Sequence, residues 1–496
     1  MSPSSEAVVD EESPLLRPAH DAPAKETPLP WKQYSIVLFL QVAEPLTFHV
    51  VSPFLPQLVR ELGVTGGDDK KLGYYVGLVH SAFFATETLT VLHWSRASDY
   101  IGRKPVVATG LFGVSLAMYI FGLSKTFWAL LISRCLAGGL TGNVGVMKSV
   151  MAELTDSTNV ARAFAYSPIA WSTGATLGPL VGGVFSHPAE NFPRVFGGSE
   201  FLKTYPYFLP CAIAGTATLI AGVITVLFFK ETNPTCVTFW SLVKREKSPP
   251  ILAARHKTDS SGNVIISENI LDGVHNDEPL PLRSLLTPRV IAAAGNYAIL
   301  SWIEISFRAI QIMFWAMPTA IGGLGMSPRA IGTWLALVGL SNGVFQGLFF
   351  ADIHKKVGTR TLYLCGLSSF FPMFALFPIT GTVVKVYGIG WVVWVLVGMQ
   401  LTLSLFFTVC FGCVFIYLTA ASPNKRSLGG TNGIAQTLVS ITRCIGPASA
   451  TSLFSLSLEH GYLGGVLVYY VMILLSMVAF AGGLYLPKKV WDRAQY

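Results

Sequence analysis

Gly174-Ala-Thr-Leu-Gly178-Pro179-Leu-Val-Gly182-Gly183 stands inside a long apolar segment of this 496-residue chain. Glycines at 174, 178 and 182 recur every four residues. In a helix that spacing makes one nearly flat stripe, against which a second helix packs with the two backbones almost touching. Pro179 lies in the same run. It removes one backbone donor and bends the helix, which lipid tolerates only where neighbouring helices satisfy the freed carbonyl. The run therefore predicts a helix in a crowded transmembrane bundle.

Composition agrees. The chain is 52% hydrophobic and only 12% charged, with mean hydropathy +0.53, whereas soluble domains carry about 25% charged residues. This is the profile of a polytopic membrane protein. The net charge of +8 does not point to nucleic acid, because the cations cluster in short segments between apolar runs and so read as orientation signals. Six of the seven cysteines (Cys135, Cys211, Cys365, Cys410, Cys413 and Cys444) fall in apolar segments, giving no disulfide framework between loops. Cys410-x-x-Cys413 reads as helix packing.

Residues 1–30 are polar and proline-rich, with Glu6, Asp10, Glu11 and Glu12 but no basic start followed by an apolar core. They read as a disordered cytosolic tail, with no signal peptide. From Trp31 onward twelve apolar spans follow, near 33–56, 73–95, 105–124, 127–149, 164–186, 206–229, 289–313, 329–350, 361–380, 388–418, 430–457 and 463–486. Each is long enough for a hydrocarbon core of roughly 30 Å. Placing both termini in the cytosol puts twelve loop cations inside, Arg103-Lys104 and Lys355-Lys356 among them, against eight outside. The polar stretch 230–288 is too long for a tight helix connection and reads as a cytosolic linker between six-span halves, 31–229 and 289–486. Residues 487–496 form a second cytosolic tail.

Two further stretches carry a physical logic. In Trp94-Ser-Arg-Ala-Ser-Asp99-Tyr-Ile-Gly102-Arg103-Lys104-Pro105, Gly102 permits a tight turn and Pro105 suits the first turn of span three. Asp99 is placed to accept from Arg103 or from a neighbouring helix N-terminus. Such a knot would latch one face of the bundle. In span four, Arg134 is followed by Gly138 and Gly142. A guanidinium inside a bilayer must find a carboxylate, a carbonyl or water. Counting about 1.5 Å per residue, Arg134 lies roughly 10 Å below Trp128, and Glu44 of span one lies roughly 20 Å above Trp31, at a similar height. Glu44 and Arg134 are therefore expected to meet or to share water. A carboxylate whose distance from a guanidinium changes with conformation would switch its affinity for protons. The rival reading is a static structural pair.

These runs resemble the major facilitator superfamily from Trp31 to Leu486, in particular its twelve-span drug:proton antiporters of fungal type. The span-five glycine run resembles the antiporter motif, and Asp99, Gly102, Arg103 and Lys104 resemble the loop motif between spans two and three. Ser95 and Tyr100 depart from that loop pattern. Arg134 with Gly138 resembles a span-four pattern, and Glu44-Pro45 resembles the Glu-Pro of zinc-induced-facilitator-like transporters. A faint internal repeat supports the likeness: Gly446-Pro447 answers Gly178-Pro179, and Asp352-Ile-His-Lys355-Lys-Val-Gly358-Thr-Arg360 echoes the Asp99 loop.

The resemblance implies an all-α fold of two six-helix bundles rocking around a midplane cavity. It casts Glu44 as leading proton carrier, with Arg134 its partner and Glu87, Glu304 and His49 as further candidates. Asp99, Gly102, Arg103 and Lys104 become an inner latch, and Gly174, Gly178, Pro179, Gly182 and Gly183 a seal between bundles. Glu304 and Arg308, four apart, are expected to pair locally. Gln311, Asn342, Gln346, Asn432, Gln436 and Arg443 are candidates for the cavity wall, alongside plain helix-packing roles. Glu11-Glu-Ser-Pro-Leu15-Leu16 resembles an acidic dileucine signal that sorting adaptors read.

The expected function is proton-driven antiport of a small organic molecule, such as a drug or secondary metabolite, by a monomer in the plasma or vacuolar membrane. A proton symporter importing a nutrient or metal chelate, and a sensor that moves no solute, are the rival readings. The sequence holds no nucleotide-binding motif, metal-ligand cluster or nucleophile with its base. No enzyme activity, cofactor, metal or nucleic-acid partner is expected.

Overall fold

The computed structural model describes residues 27–141, 143–156, 159–233, 284–423, 428–488 and 490–491. The dileucine-like stretch at Glu11, Leu15 and Leu16, Gly142 and nearly all of the 230–288 connection lie outside the described residues.

Helices account for the architecture. In chain order the spans are one (Trp31–His49), two (Leu72–Ile101), three (Arg103–Gly122), four (Phe127–Leu140 and Asn143–Glu153), five (Val160–Val184) and six (Phe208–Phe228). After the connection come seven (Pro288–Ala316), eight (Pro328–Val357), nine (Thr359–Ser368 and Phe370–Tyr387), ten (Trp391–Ala421), eleven (Leu428–Glu459) and twelve (Leu467–Leu484). Among the described residues nine helices are long and apolar enough to cross a membrane. Spans one, five and eleven are as long but are diluted by glycine and polar residues. Local chemistry sets the boundaries. Thr126, Thr287 and Ser327 accept from the backbone amides of Ala129, Val290 and Ala330 to start spans four, seven and eight. Gly102 (φ +110°) and Gly358 (φ +81°) take a conformation that L side chains resist, and so end spans two and eight.

Span one leaves from the face that carries the 234–283 connection, here termed the linker face, and ends at the opposite, far face. The two sets of six spans meet where span two lies on span eleven and span five on span eight. The approach is closest at the far face. A Cβ on Gly183 would stand 2.5 Å from the Pro328 carbonyl, and one on Gly332 would overlap the Pro179 carbonyl. Toward the linker face the separation grows: a Cβ on Gly343 would sit 3.5 Å from Ser172 Oγ, and one on Gly347 would meet nothing within 4 Å among the described residues. Spans two and eleven behave alike. The Gly73 amide donates to Ser455 Oγ (2.9 Å) and the Ala448 amide to Ser81 Oγ (3.0 Å), whereas a Cβ on Gly433 would meet nothing within 4 Å among the described residues. The halves are shut against each other at the far face and splay toward the linker face.

The glycine stripe divides this labour in an unexpected way. Gly174, Gly178 and Gly182 rest on the backbone of Val42, Leu46 and Val50 of span one, which share the four-residue spacing. The stripe thus packs span five within its own half, and contact with the other half falls to Gly183, the Pro179 carbonyl and Thr176, which meets Gly339.

Both ends of the presumed tails are held. Asn159 donates to the Thr27 carbonyl (3.2 Å), Leu29 is buried, Tyr417 donates to the Pro487 carbonyl (2.7 Å), and Trp491 lies edge-on to Tyr417.

Candidate transport site

Charged side chains from four spans converge between the halves. Glu44 of span one stands beside Pro45, on a face otherwise closed by Ala43 and Leu46. Its electrostatic neighbours are Glu87 of span two, Arg443 of span eleven and Lys148 of span four. Arg443 also acts on Glu87 and on Lys148. Glu44, Glu87 and Arg443 are half-buried, whereas Lys148 is exposed although it stands well inside a transmembrane rod. An exposed lysine at that depth faces the space between the splayed halves. Two carboxylates from the first half and a guanidinium from the second are thus brought together, with a lysine at the rim.

A second group adjoins it toward the far face. His49 lies in the field of Arg308, His80 and Arg443, and His80 in that of Arg134. Phe48 packs against both imidazoles, with ring centroids 4.9 Å from His49 and 5.9 Å from His80, and Trp171 stands edge-on to His49 at 5.7 Å. On span seven Glu304 and Arg308 form an ion pair one turn apart. Gln311, one turn further, is buried with its Nε2 lacking a partner.

Arg134 is placed elsewhere. Its guanidinium carbon lies 4.4 Å from the centroid of the Phe121 ring, Nη2 is buried without a hydrogen-bond partner, and the nearby groups are His80 and Cys211. Glu44 is not among them. Counting residues matched the heights of the two groups but carried no information on azimuth. Span one aims Glu44 toward spans two and eleven, while span four aims Arg134 into the wall formed by spans three and six.

Of the remaining polar candidates, Asn342 accepts from Thr408 Oγ1 (3.0 Å) and so joins spans eight and ten. Gln346, Asn432 and Gln436 are half-buried. Outside the candidate wall, Gln400 donates to the Met373 carbonyl (3.0 Å), a plain helix-to-helix bond.

At the linker face the turn after span two is a closed knot. Arg103, almost fully buried, donates through Nη1 to Ser98 Oγ and to Asp99 Oδ1 (2.6 Å), and through Nε and Nη2 to Glu153 Oε1 (3.1 and 2.9 Å). The N-terminus of span three is capped by Glu231, which accepts from the amides of Arg103 (2.8 Å) and Lys104 (3.0 Å). Asp99 does not serve that N-terminus. Thr232 donates to Glu153 Oε2 (2.5 Å) and Asn233 to the Asp99 carbonyl (2.8 Å). Residues 231–233 of the expected linker therefore belong to the knot.

Sequence reasoning did not single out Lys148, His80, Glu153 or Glu231. A usable signal existed for one of them: His80 stands seven residues before Glu87, two turns to within a fraction of a residue.

The fold and this core of charges are those of a solute carrier. The sequence pattern of the Major Facilitator Superfamily matches residues 37–447, and the chain belongs to that family. It is 28% identical to the major facilitator-type transporter psiT2 of Psilocybe cyanescens over 96% of each chain. It is 26% identical to the efflux pump azaK of Aspergillus niger (98% of this chain, 96% of the relative). It is also 26% identical to the Arabidopsis thaliana protein ZINC INDUCED FACILITATOR 1 (91% and 90%). Among solved structures, a bacterial homologue of the human lysosomal transporter Spinster, crystallised inward-facing and occupied, superposes with a TM-score of 0.64 at 12% identity over 92% of this chain and 97% of that one. The protein is a multi-pass membrane transporter and not an enzyme.

Proposed function

We propose that the protein is a proton-coupled antiporter that moves a small organic molecule out of the cytosol, across the plasma or the vacuolar membrane. The observation that carries this reading is that Glu44 and Glu87 of one half lie within electrostatic reach of Arg443 of the other. A carboxylate in a poorly solvated site sheds its proton beside a guanidinium and takes one up when that cation withdraws. Because Arg443 rides on the opposite half, rocking the halves changes this separation. Proton affinity is thereby tied to which face is open.

With the linker face open, Arg443 stands near the two carboxylates and substrate enters the space between the halves. Opening the far face would draw Arg443 away, and Glu44 and Glu87 would take protons from that side as substrate leaves. The bundles 31–229 and 289–486 would move as units, with the Arg103 knot holding the first one rigid. The excess of loop cations on the linker face supports its placement in the cytosol, and kinship with an efflux pump supports outward movement.

The test is reconstitution in liposomes with an imposed pH gradient and a panel of metabolites and drugs. Glu44→Gln and Glu87→Gln should each abolish gradient-driven flux while sparing exchange of substrate for substrate. Unimpaired pumping by both variants would remove the carboxylates from the mechanism. Uptake driven with the proton gradient would replace antiport by symport.

A further inference from the structure

The far face carries a titratable cluster that the transport cycle above does not use. The short helix Leu55–Glu61 follows span one, and its last residue, Glu61, is held by three donors, one from the same helix and two from the segments after span five and before span six. Gln57 Nε2 donates to Oε1 (2.8 Å), Tyr207 OH donates to Oε2 (2.8 Å), and His187 Nε2 stands 3.2 Å from Oε1. His187 is the first residue beyond the turn that ends span five. It adopts φ +50°, ψ +54°, a left-handed conformation unusual for a residue with a side chain. Its amide bonds the Pro206 carbonyl (3.0 Å), and its ring stands edge-on to Tyr207 at 4.9 Å. Its side chain keeps 16% exposure, so far-face protons reach it.

The two segments pinned together here are those that shut the far face. Arg60, next to Glu61, donates to Asp69 Oδ1 (2.6 Å) and reaches across to the Ala316 carbonyl at the end of span seven (3.3 Å). Gly183, four residues before His187, makes the closest approach to span eight. Lys71 and Tyr74 complete the crossing at Glu459 (3.7 and 3.2 Å).

We propose that His187 and Glu61 form a pH-operated clasp: far-face acid charges His187, fastens the short helix Leu55–Glu61 to the turn after span five within the first half, and so holds Arg60 and Gly183 where they meet the second half with the far face shut. The groups facing His187 are Glu61, Glu190 and Tyr207, and those facing Glu61 are His187, Tyr207 and Gln57. Burial works against the charge on His187, but the Glu61 bond and the Glu61 and Glu190 charges outweigh it, so its pKa is raised. Burial likewise works against the Glu61 carboxylate, and its three donors reverse the sign, so its pKa is lowered. The clasp is therefore complete in acid and is lost as pH climbs through the raised His187 pKa. Acid on the far side would thus favour the state open to the linker face. This regulation is separate from proton carriage by Glu44 and Glu87, and rests only on the alternating opening of the two faces.

Spin labels at Trp128→Cys and Tyr387→Cys, two exposed far-face sites on opposite halves, on an otherwise cysteine-free full-length chain in nanodiscs, report the opening as a distance. Between pH 5 and pH 8 the ratio of long to short distances should rise about fivefold, the lower end of common allosteric couplings. The measurement is made on the Glu44→Gln/Glu87→Gln protein, in which the carboxylates whose proton affinity is tied to the opening no longer titrate; there His187→Gln and Glu61→Gln should each flatten the response. A flat response in that background, or one that survives there in both clasp variants, overturns the proposal. Tyr207→Phe supplies an independent, milder break should either clasp variant fail to fold. Gradient-driven flux in the Glu44 and Glu87 variants tests the antiport reading separately.

Discussion

The turn after span two and the turn after span eight begin from the same plan and end differently. Each places a glycine at positive φ, Gly102 and Gly358, and restarts a helix at the next residue. In the first half, Arg103 is met by Asp99, Glu153 and Ser98, and Glu231 caps the restarted helix. In the second, Arg360 donates to the Leu484 carbonyl, its Nε is buried without a partner among the described residues, and His354 Nε2 pairs with Thr359 Oγ1 (2.9 Å). No side chain caps span nine. The backbone corner occurs twice, and among the described residues charge closure is built on only one of them. The first half is thereby stiffened at the linker face, while the second half is held there by carbonyl and hydroxyl contacts.

Substitutions test how far that asymmetry goes. Arg103→Ala strips two carboxylates of their buried cation and should cost about 3 kcal/mol, the low end for breaking an enclosed ion pair, because Asp99 keeps access to water. Thermal unfolding in nanodiscs reads this directly, and an equal loss from Arg360→Ala would erase the distinction between the turns. Glu153→Ala, which removes the acceptor for Nε and Nη2, should cost about 2 kcal/mol by the same measurement. Glu231→Ala leaves the first amides of span three without their acceptor and should cost about 1 kcal/mol. Hydrogen exchange at Arg103 and Lys104 should rise with it, while exchange at span nine stays as it was. Arg360→Ala, which loses one bond to a carbonyl, should cost under about 1 kcal/mol. Gly102→Ala and Gly358→Ala serve as the internal control. Each forces a side chain into extended backbone at positive φ, which glycine alone adopts readily, at about 2 kcal/mol, and the two losses should match if the corners are equivalent.

Much of the fold was legible because hydropathy and length decide which segments cross oil. The loop motifs added where the chain turns: Gly102 and Gly358 were readable as corners from residue type alone. The breaks in spans four and nine escaped notice, since a short interruption leaves the hydropathy of the whole segment unchanged. The transport site was half legible. Glu44, Glu87, Arg308 and Arg443 stand out as charges in apolar runs, and the Glu304 and Arg308 pair follows from helical spacing. Who faces whom across helices depends on rotation about each axis, which no single span records. That is why Arg134 seemed to belong with Glu44 and instead rests on Phe121. Lys148 was missed because it lies near the end of an apolar run, where a lysine is easily read as a topology signal. Glu231 was missed because its partners are backbone amides 127 and 128 residues away, at Lys104 and Arg103.

Asn233 is the last described residue before the connection, and its side-chain amide is tied to the Asp99 carbonyl at 2.8 Å. The chain therefore quits the first six helices from a mooring on the corner that Arg103 braces. Anything that tugs on the tether from there, a kinase product, a bound partner or an inserted tag, would deliver its force to that corner before any other part of the molecule. A fluorescent protein spliced a few residues after Asn233 would be a strain gauge for the knot.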